Sequence, residues 1–248
     1  MIGKHWNQVL HGIGVEFNPV PHREKLVSGV GAFLAILVTI LICRHFLDVS
    51  TSACIVTSMG ASAVLLFGMP HGALSQPWPF LGGQLLSALT GVLCQRFIAD
   101  PMIAGALAVG IAVTLMHYLR CIHPPGGATA LAAVIGGPAV HQLGFKYILT
   151  PVTLNALALL TLAILINGTF AWRRYPAAFA RKSATPDLIP RESLEFALQK
   201  MGSFIDASED DLEEIYSIAV NHAKGLPFTA RQSSPQTSRL ATSGRNAR

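Results

Sequence analysis

One stretch of this chain combines an ionisable side chain, two prolines, two glycines and a hydroxyl: His123-Pro124-Pro125-Gly126-Gly127-Ala128-Thr129. Pro124 disfavours a helical conformation at His123, so a preceding helix should end there. Pro125 suits the first turn of a following helix, where its missing N–H is no loss. The pattern predicts a short helix whose small residues allow a ligand to approach the backbone.

A second stretch resembles the first and lies at a matching position in the chain. The two runs are Gly60-Ala61-Ser62-Ala63-Val64, closed by Gly68-Met69-Pro70, and Gly127-Ala128-Thr129-Ala130-Leu131, closed by Gly136-Gly137-Pro138. Each lies between two longer apolar spans, so a long–short–long order occurs twice, over residues 26–97 and 102–171. Short, Gly/Pro-interrupted segments at matching positions indicate a transporter's binding site. Tight packing of small residues is the alternative explanation.

The chemistry that such segments favour is anion binding. A helix that begins inside a membrane leaves its first N–H groups unpaired, so they must face protein, water or a ligand. These groups and the helix dipole attract an anion, and a hydroxyl adds a donor without charge. We therefore expect the N-terminal ends of the two short helices to converge on a small anion. The candidate binding residues are Ser58, Gly60, Ala61, Ser62, His123, Pro124, Pro125, Gly126, Gly127, Ala128 and Thr129.

Further ionisable side chains lie near the ends of the apolar spans. His117 and Arg120 form a cluster with His123 at the end of the fourth span, and His71 follows Pro70 in the first half. Ionisable groups at membrane depth tend to be functional, which predicts an electropositive vestibule or a proton-linked step. The alternative is that they mark the membrane interface, because cations are favourable at a helix C-terminus. Metal-ligand spacing, a nucleotide-binding loop and a nucleophile elbow are absent from the sequence, so we expect no metal, cofactor or catalytic residue.

The composition places these residues in a membrane. The chain is 51% hydrophobic and only 12% charged, whereas soluble domains carry about 25% charged residues. The apolar stretches are Leu26–Cys43, Thr51–Met69, Phe80–Phe97, Met102–Leu119, Gly126–Ile135 and Pro151–Phe170. We predict an all-α polytopic membrane protein with two long–short–long repeats, in which four long spans accompany two short helices that are broken or re-entrant.

The flanking charges predict the orientation and the domain boundaries. Basic residues border the apolar region on both sides: Arg23, Lys25, Arg173, Arg174, Arg181 and Lys182. The positive-inside rule then places both termini in the cytoplasm, with the protein in the cell inner (plasma) membrane. We expect an amphipathic cytoplasmic segment at 1–25, a transmembrane domain at 26–172, a cytoplasmic helical tail at 173–228 that forms a short helical hairpin, and disorder at 229–248. Trp172 and Tyr175 are predicted to form an interfacial aromatic belt.

The two motifs together resemble the HPP family of integral membrane proteins, named for its His-Pro-Pro signature. The signature matches the string from His123 to Leu131, and the run Gly60–Phe67, followed by Pro70 and then Gln76-Pro77, is similar to the family's first motif. The resemblance covers about residues 20–172. It implies a membrane protein commonly described with four transmembrane helices, in a family with some plastid and cyanobacterial members associated with nitrite transport.

Three classes of function fit these patterns. The leading hypothesis is a transporter or channel for a small inorganic anion, with nitrite as the substrate that the resemblance implies. The alternatives are a membrane scaffold or sensor that acts through its cytoplasmic tail, and a membrane enzyme that uses His123 as acid or base. Glycines such as Gly29, Gly31, Gly105 and Gly110 allow helices to approach closely, either inside one chain or between chains. A body this small often needs a partner to shield its polar segments from lipid, so we expect a homo-oligomer. Nucleic acid is not an expected partner, because many of the basic residues flank lipid-facing spans.

Overall fold

The computed structural model describes residues 20–46, 49–170, 172–173 and 175–177, together with eight separate positions between 193 and 220. The chain divides into two compact units, residues 1–182 with 204–208, and residues 183–203 with 209–248. The eight separate positions are all helical. The predicted amphipathic segment before residue 20, most of the predicted tail hairpin and the predicted disorder after residue 228 lie outside the described residues.

Every regular element in the described part of the chain is helical, which confirms the predicted all-α class. In chain order they are α1 (His22–Phe46), α2 (Val49–Ala63) continued by a π-helical turn (Val64–Gly68), a 3₁₀ turn (Ala73–Ser75), α3 (Pro77–Phe97), α4 (Pro101–Tyr118), α5 (Pro125–Ile135), α6 (Pro138–Leu143), and a π-helical segment (Ile148–Thr153) that leads into α7 (Leu154–Gly168). α6 was not predicted from the sequence.

Three of the described helices are long and apolar enough to cross a membrane. They are His22–His45, Pro101–Tyr118 and Ile148–Gly168, and the shorter apolar helices Ser52–Gly68 and Pro125–Ile135 accompany them. α3 has 21 residues, but polar side chains such as Gln84, Ser87 and Thr90 lie along it. Large apolar side chains on the outside of the body, including Leu26, Phe33, Met102 and Leu165, are more than half exposed. An outer surface of this kind is suited to lipid.

Local capping explains where α4 and α5 begin. The Asp100 carboxylate accepts hydrogen bonds from the amides of Met102 at 2.8 Å and Ile103 at 3.0 Å, as an N-cap residue does. Pro125 occupies the first position of α5, as the sequence predicted. α4 ends at Tyr118, which agrees with the predicted stretch Met102–Leu119, and it stops short of His123, where Pro124 was expected to end it at the latest. Arg120 has a φ of 53°, a left-handed conformation that a continuous helix does not allow.

The first short segment does not begin at the site where it was predicted to begin. α2 starts at Val49, so Gly60 and Ser62 lie in its last turns rather than at its N-terminus. The expected convergence of two helix N-termini is therefore wrong for the first half of the chain. Of the two short helices, α5 is the one whose N-terminal end lies near the predicted site residues.

α5 lies inside the body because small residues let it contact α3 closely. Gly83, Ser87 and Gly91 follow one another at four-residue spacing on α3, and Gly126 and Ala130 face them from α5. A Cβ atom at Gly126 would lie only 2.6 Å from the Ser87 hydroxyl oxygen, and one at Gly91 would overlap the Ala130 carbonyl oxygen. Small side chains at every fourth position allow such a close helix pair in a membrane protein.

This contact predicts a position-specific cost for adding a side chain. Gly91→Val should lower the free energy of unfolding by about 1–3 kcal/mol, because the new side chain forces α3 and α5 apart. Gly110→Val is the matched control, since a Cβ at Gly110 of α4 meets no described atom within 4 Å. Thermal denaturation in mild detergent, followed by size-exclusion chromatography, compares the two. Equal stability of both variants would contradict this packing.

The loops that lie at the same end of the body should be labelled from the same side of the membrane. The Arg96 guanidinium lies 6.0 Å from the Phe145 ring centroid, so the segment after α6 is at the same end of the body as the α3–α4 turn. In a background without native cysteines, Asp100→Cys and Lys146→Cys should react with an impermeant thiol reagent from the same side. Tyr118→Cys, at the other end of α4, should react from the opposite side.

Six crossings with cytoplasmic termini require positions 100 and 146 to be labelled from the periplasm. Labelling of Asp100→Cys from the cytoplasm alone would instead favour four full spans with two re-entrant helices.

Candidate functional site

Five uncharged polar side chains meet in the interior of the helical body. Ser58 and Ser62 come from α2, Gln84 from α3, Thr129 from α5, and His123 from the residues just before α5. Each has at most 1% of its surface exposed. We call this set the polar cluster. A buried polar group without a partner is energetically costly. The hydrogen bonds of the polar cluster therefore determine how α2, α3 and α5 pack together.

Gln84 links the two short helices. Its side-chain nitrogen donates to the Ser62 hydroxyl at 2.9 Å, and its side-chain oxygen accepts from the Thr129 hydroxyl. The Ser58 hydroxyl donates to the Pro125 carbonyl oxygen at 3.0 Å and also contacts the Thr129 hydroxyl. The two hydroxyl protons of Ser58 and Thr129 thus serve three contacts. More than one arrangement of these protons is available, and each hydroxyl can turn without movement of the backbone.

His123 connects the polar cluster to the loop between α2 and α3. Its Nδ1 lies 3.1 Å from the Leu74 carbonyl oxygen, which can only accept, so Nδ1 carries a proton. Its Nε2 lies 2.9 Å from the Ser62 hydroxyl and, in a neutral ring, accepts from it. The ring also packs edge-on against Phe80, with the centroids 5.1 Å apart. Full burial favours the neutral form of this imidazole.

The backbone donors at the start of α5 are mostly occupied by the chain itself. The Gly126 amide donates to the His123 carbonyl oxygen at 2.8 Å, and the Gly127 amide donates to the Pro124 carbonyl oxygen at 3.1 Å. Pro125 has no N–H to offer. Hydrogen-bond donors for a ligand must therefore come mainly from the side chains of the polar cluster, and only weakly from the helix end.

The loop of residues 69–76 closes the polar cluster at one end. Its Leu74 carbonyl holds His123, and its Ser75 hydroxyl donates to the Leu65 carbonyl oxygen at 3.0 Å. Gln76 turns back on the same loop, and its side-chain nitrogen lies 3.1 Å from the Pro70 carbonyl oxygen. The loop is therefore held to itself and to the end of α2.

The segment after α7 supports this loop from outside. The Tyr175 hydroxyl donates to the Ser75 carbonyl oxygen at 2.9 Å, and the Ala177 amide donates to the Gln76 side-chain oxygen at 3.0 Å. Burial raises the pKa of Tyr175, so its hydroxyl keeps the proton that it donates. His71 lies 3.2 Å from the Trp172 carbonyl oxygen. Tyr175 is therefore buried under the body, and its predicted place in an interfacial belt is wrong.

The buried Arg173 side chain lies at the C-terminal end of α2, the helix that carries Ser58 and Ser62. The Arg173 guanidinium contacts the carbonyl oxygen of Phe67, in the π-helical turn after α2, and lies 3.2 Å from the Glu24 carboxylate. A positive charge is favourable at a helix C-terminus, where carbonyl groups lack helical partners. Burial lowers the pKa of Arg173, and the Glu24 carboxylate opposes that shift.

The structure divides the predicted site residues into two groups. Ser58, Ser62, His123, the Pro125 carbonyl and Thr129 come together, and Gly126 is buried against α3 beside them. The others point elsewhere. Gly60 faces Ile36 of α1, Gly127 faces Val109 of α4, and Ala61, Pro124 and Ala128 are exposed.

The predicted cluster of ionisable groups is not formed. His117 and Arg120 are exposed, whereas His123 is fully buried. The reason is that α4 ends before Arg120, and the chain then turns inward so that His123 enters the interior. His71 is half-buried and bonds to the segment after α7 rather than to the polar cluster.

Two members of the site were not predicted. Gln84 bonds to both short helices, and the Tyr147 hydroxyl donates to the Thr129 carbonyl oxygen at 3.1 Å. An amide side chain in the middle of a predicted membrane span was a usable signal for Gln84, because a buried amide needs partners. Tyr147 follows a charged residue at the end of a loop, so its sequence context gave no comparable signal.

The position of Gln84 predicts a specific loss of stability. Gln84→Leu should lower the free energy of unfolding by about 1–3 kcal/mol, because it leaves buried hydroxyls with too few partners. Gln95→Leu on the same helix is the control, since Gln95 is half-buried and lies outside the polar cluster. Unfolding by denaturing detergent measures the difference. Similar losses in both variants would mean that the network does not hold α2 and α5 together.

Comparison with known proteins agrees with the helical membrane body. Residues 17–176 match the HPP family, transmembrane region. Two transmembrane proteins of Dictyostelium discoideum are 37% and 36% identical to this chain over 166 and 153 residues, which cover 64% and 60% of it. These matches cover 57% and 49% of the relatives, so the chain spans about half the length of the curated relatives it matches. No solved structure matches the chain. The chain belongs to the HPP family of integral membrane proteins.

Proposed function

We propose that this protein is a transporter or channel for a small inorganic anion, and that the polar cluster is the site that contacts the anion. One observation carries the proposal. Five uncharged polar side chains, three of them hydroxyl-bearing, are buried together in a body whose outer surface is apolar. Lipid already covers the apolar surface of a membrane helix, so burial of that surface does not require a polar cluster. Polar groups at membrane depth tend to mark a substrate or ion pathway.

The chemistry of the cluster favours an anion over a cation. Its donors are the hydroxyls of Ser58, Ser62 and Thr129 and the amide nitrogen of Gln84. Carboxylates, which cation sites normally use, take part in none of the cluster's hydrogen bonds in the described part of the chain. The N-terminal end of α5 adds a partial positive charge, worth about 0.3–1 kcal/mol for an anion. Binding on this scale is weak, which suits a site that must also release its ligand.

Entry to the cluster requires one end of it to open. In this structure the loop of residues 69–76 covers that end, and His123 lies between the loop and Ser62. Movement of the loop away from His123 frees Nδ1 as an additional donor directed at the entrance. In this proposal His123 both closes the path and contacts the anion as it enters.

The remaining parts of the proposal concern arrangement in the membrane. We place both termini in the cytoplasm of a cell whose inner membrane holds the protein, with six crossings arranged as two inverted halves. The meeting of α2 and α5 at the polar cluster supports this arrangement, because these short helices hold corresponding places in the two halves. A homo-oligomer belongs to the same proposal. Nitrite, the anion that the family resemblance implies, is the first substrate to test.

Thr129 gives the sharpest test of transport. Purified protein in liposomes should take up at least one of nitrite, nitrate, formate and chloride. Thr129→Val keeps the shape of the side chain but removes its hydroxyl, so uptake should fall by about tenfold or more, because hydrogen bonds to charged groups contribute about 1.5–3 kcal/mol. Thr129→Ser keeps the donor and should remain close to wild type.

Thr161→Val is the control for the loss of a threonine hydroxyl, because Thr161 is exposed on α7 and bonds only to its own helix at Leu157. His123→Ala should also slow uptake. Wild-type uptake by folded Thr129→Val protein would place the path elsewhere, and absence of uptake of all four anions by the wild-type protein would overturn the proposed function.

A further inference from the structure

We propose that the groove along the outer face of α3 binds one anionic phospholipid, with an acyl chain in the groove and the phosphate at Arg120. This inference concerns the surface of the body and does not depend on transport through the polar cluster. The lipid would be the partner of the groove and of two basic residues, His117 and Arg120, that are not part of the polar cluster.

The groove is large and almost wholly apolar. It encloses about 870 Å³ and runs along α3 from Trp78 past Leu85 to Leu89, with Leu119 and Leu149 on its walls. Ligand-binding cavities commonly hold about 300–1,000 Å³, so a single flexible chain is a reasonable occupant by size. The apolar lining excludes a polar ligand from this volume.

The groove opens to the outside of the body, where the surrounding medium is lipid. Trp78 is 59% exposed and Leu149 is 69% exposed, so the mouth and one wall are accessible. Trp78 also donates from its indole nitrogen to the Leu119 carbonyl oxygen at 3.1 Å. Tryptophan is enriched at the level of lipid headgroups, so the Trp78 end of the groove is the end that lies at the membrane surface.

A positively charged side chain lies at that same end. Arg120 is exposed and stands between two residues that line the groove, Leu119 and Cys121, and the exposed His117 is nearby in sequence. The described acidic side chains are engaged elsewhere. Glu24 pairs with Arg173, and Asp100 caps the opposite end of α4. A guanidinium beside an apolar groove matches a phosphate attached to an acyl chain.

The same charges argue against a second copy of this body as the occupant. A second copy would have to place an acidic group opposite Arg120 to compensate its charge. Both described carboxylates are already bonded within the body, so a copy offers no free counter-charge from that region. An anionic lipid brings its own charge and its own apolar chain.

The first test compares lipids. The full chain, purified in mild detergent, is incubated with phosphatidylglycerol or phosphatidylcholine of identical chains, and bound lipid is counted by native mass spectrometry. We expect one retained phosphatidylglycerol and weaker retention of phosphatidylcholine. Arg120→Asn should reduce the preference for phosphatidylglycerol by about fivefold, the ratio that corresponds to about 1 kcal/mol for one basic residue. Asparagine tolerates the left-handed backbone at this position, and Arg120→Lys should restore the preference.

The second test uses matched controls for charge and for bulk. Arg96→Asn removes an exposed arginine at the opposite end of α3 and should leave lipid retention unchanged. Leu149→Trp fills the groove and should abolish retention, whereas Leu165→Trp adds the same bulk to an exposed site on α7 outside the groove. Equal retention of the two lipids, or unchanged retention in Arg120→Asn, would overturn the proposal. Dissociation of an oligomer by Leu149→Trp without loss of lipid would overturn it in favour of an interface between copies.

Discussion

The arrangement of this body depends on the hydrogen bonds that Gln84 makes to Ser62 of α2 and Thr129 of α5. Inside a membrane no water is available to satisfy a buried amide, so its partners must come from neighbouring helices. The close contact of Gly126 and Gly91 with their neighbours brings α5 near enough to α3 for this to occur. A change in the register of either short helix would therefore break several hydrogen bonds together.

Hydrogen bonds fix the position of α2 at its C-terminal end as well as at the polar cluster. The helix leaves carbonyl groups without helical partners inside the body. The Leu65 oxygen accepts from the Met69 amide and also from Ser75, whereas the Leu66 oxygen accepts from Asn167 at 2.9 Å and the Phe67 oxygen accepts from Arg173. These donors come from the loop that closes the cluster, from α7 and from the segment after it. Movement of that loop is thus coupled to the end of α2.

The parts of this structure that depend on neighbouring residues could be predicted from the sequence. The beginning of α5 at Pro125 follows from local backbone preferences, and the apolar spans follow from composition. The internal repeat predicted that the segments of Ser62 and His123 meet, although these residues are 61 positions apart. The individual hydrogen bonds between them could not be predicted, because they depend on the register of packed helices. Arg173 shows a further limit. The positive-inside rule counts Arg173 as an interfacial charge, but its side chain is buried in the interior at the end of α2.

A cluster whose members already bond to one another constrains what it can bind. Under the proposed function, an entering anion would have to replace hydrogen bonds that exist, such as those between Gln84, Ser62 and Thr129, rather than fill vacant donors. The net gain is the difference between two sets of hydrogen bonds, and it is therefore smaller than either set alone. The hydroxyls of Ser58 and Thr129 reduce the cost of this exchange, because they turn toward a ligand without movement of the backbone. Under the proposed function, such a site would favour a small anion that accepts several hydrogen bonds at once, and it would release that anion when the side chains bond to one another again.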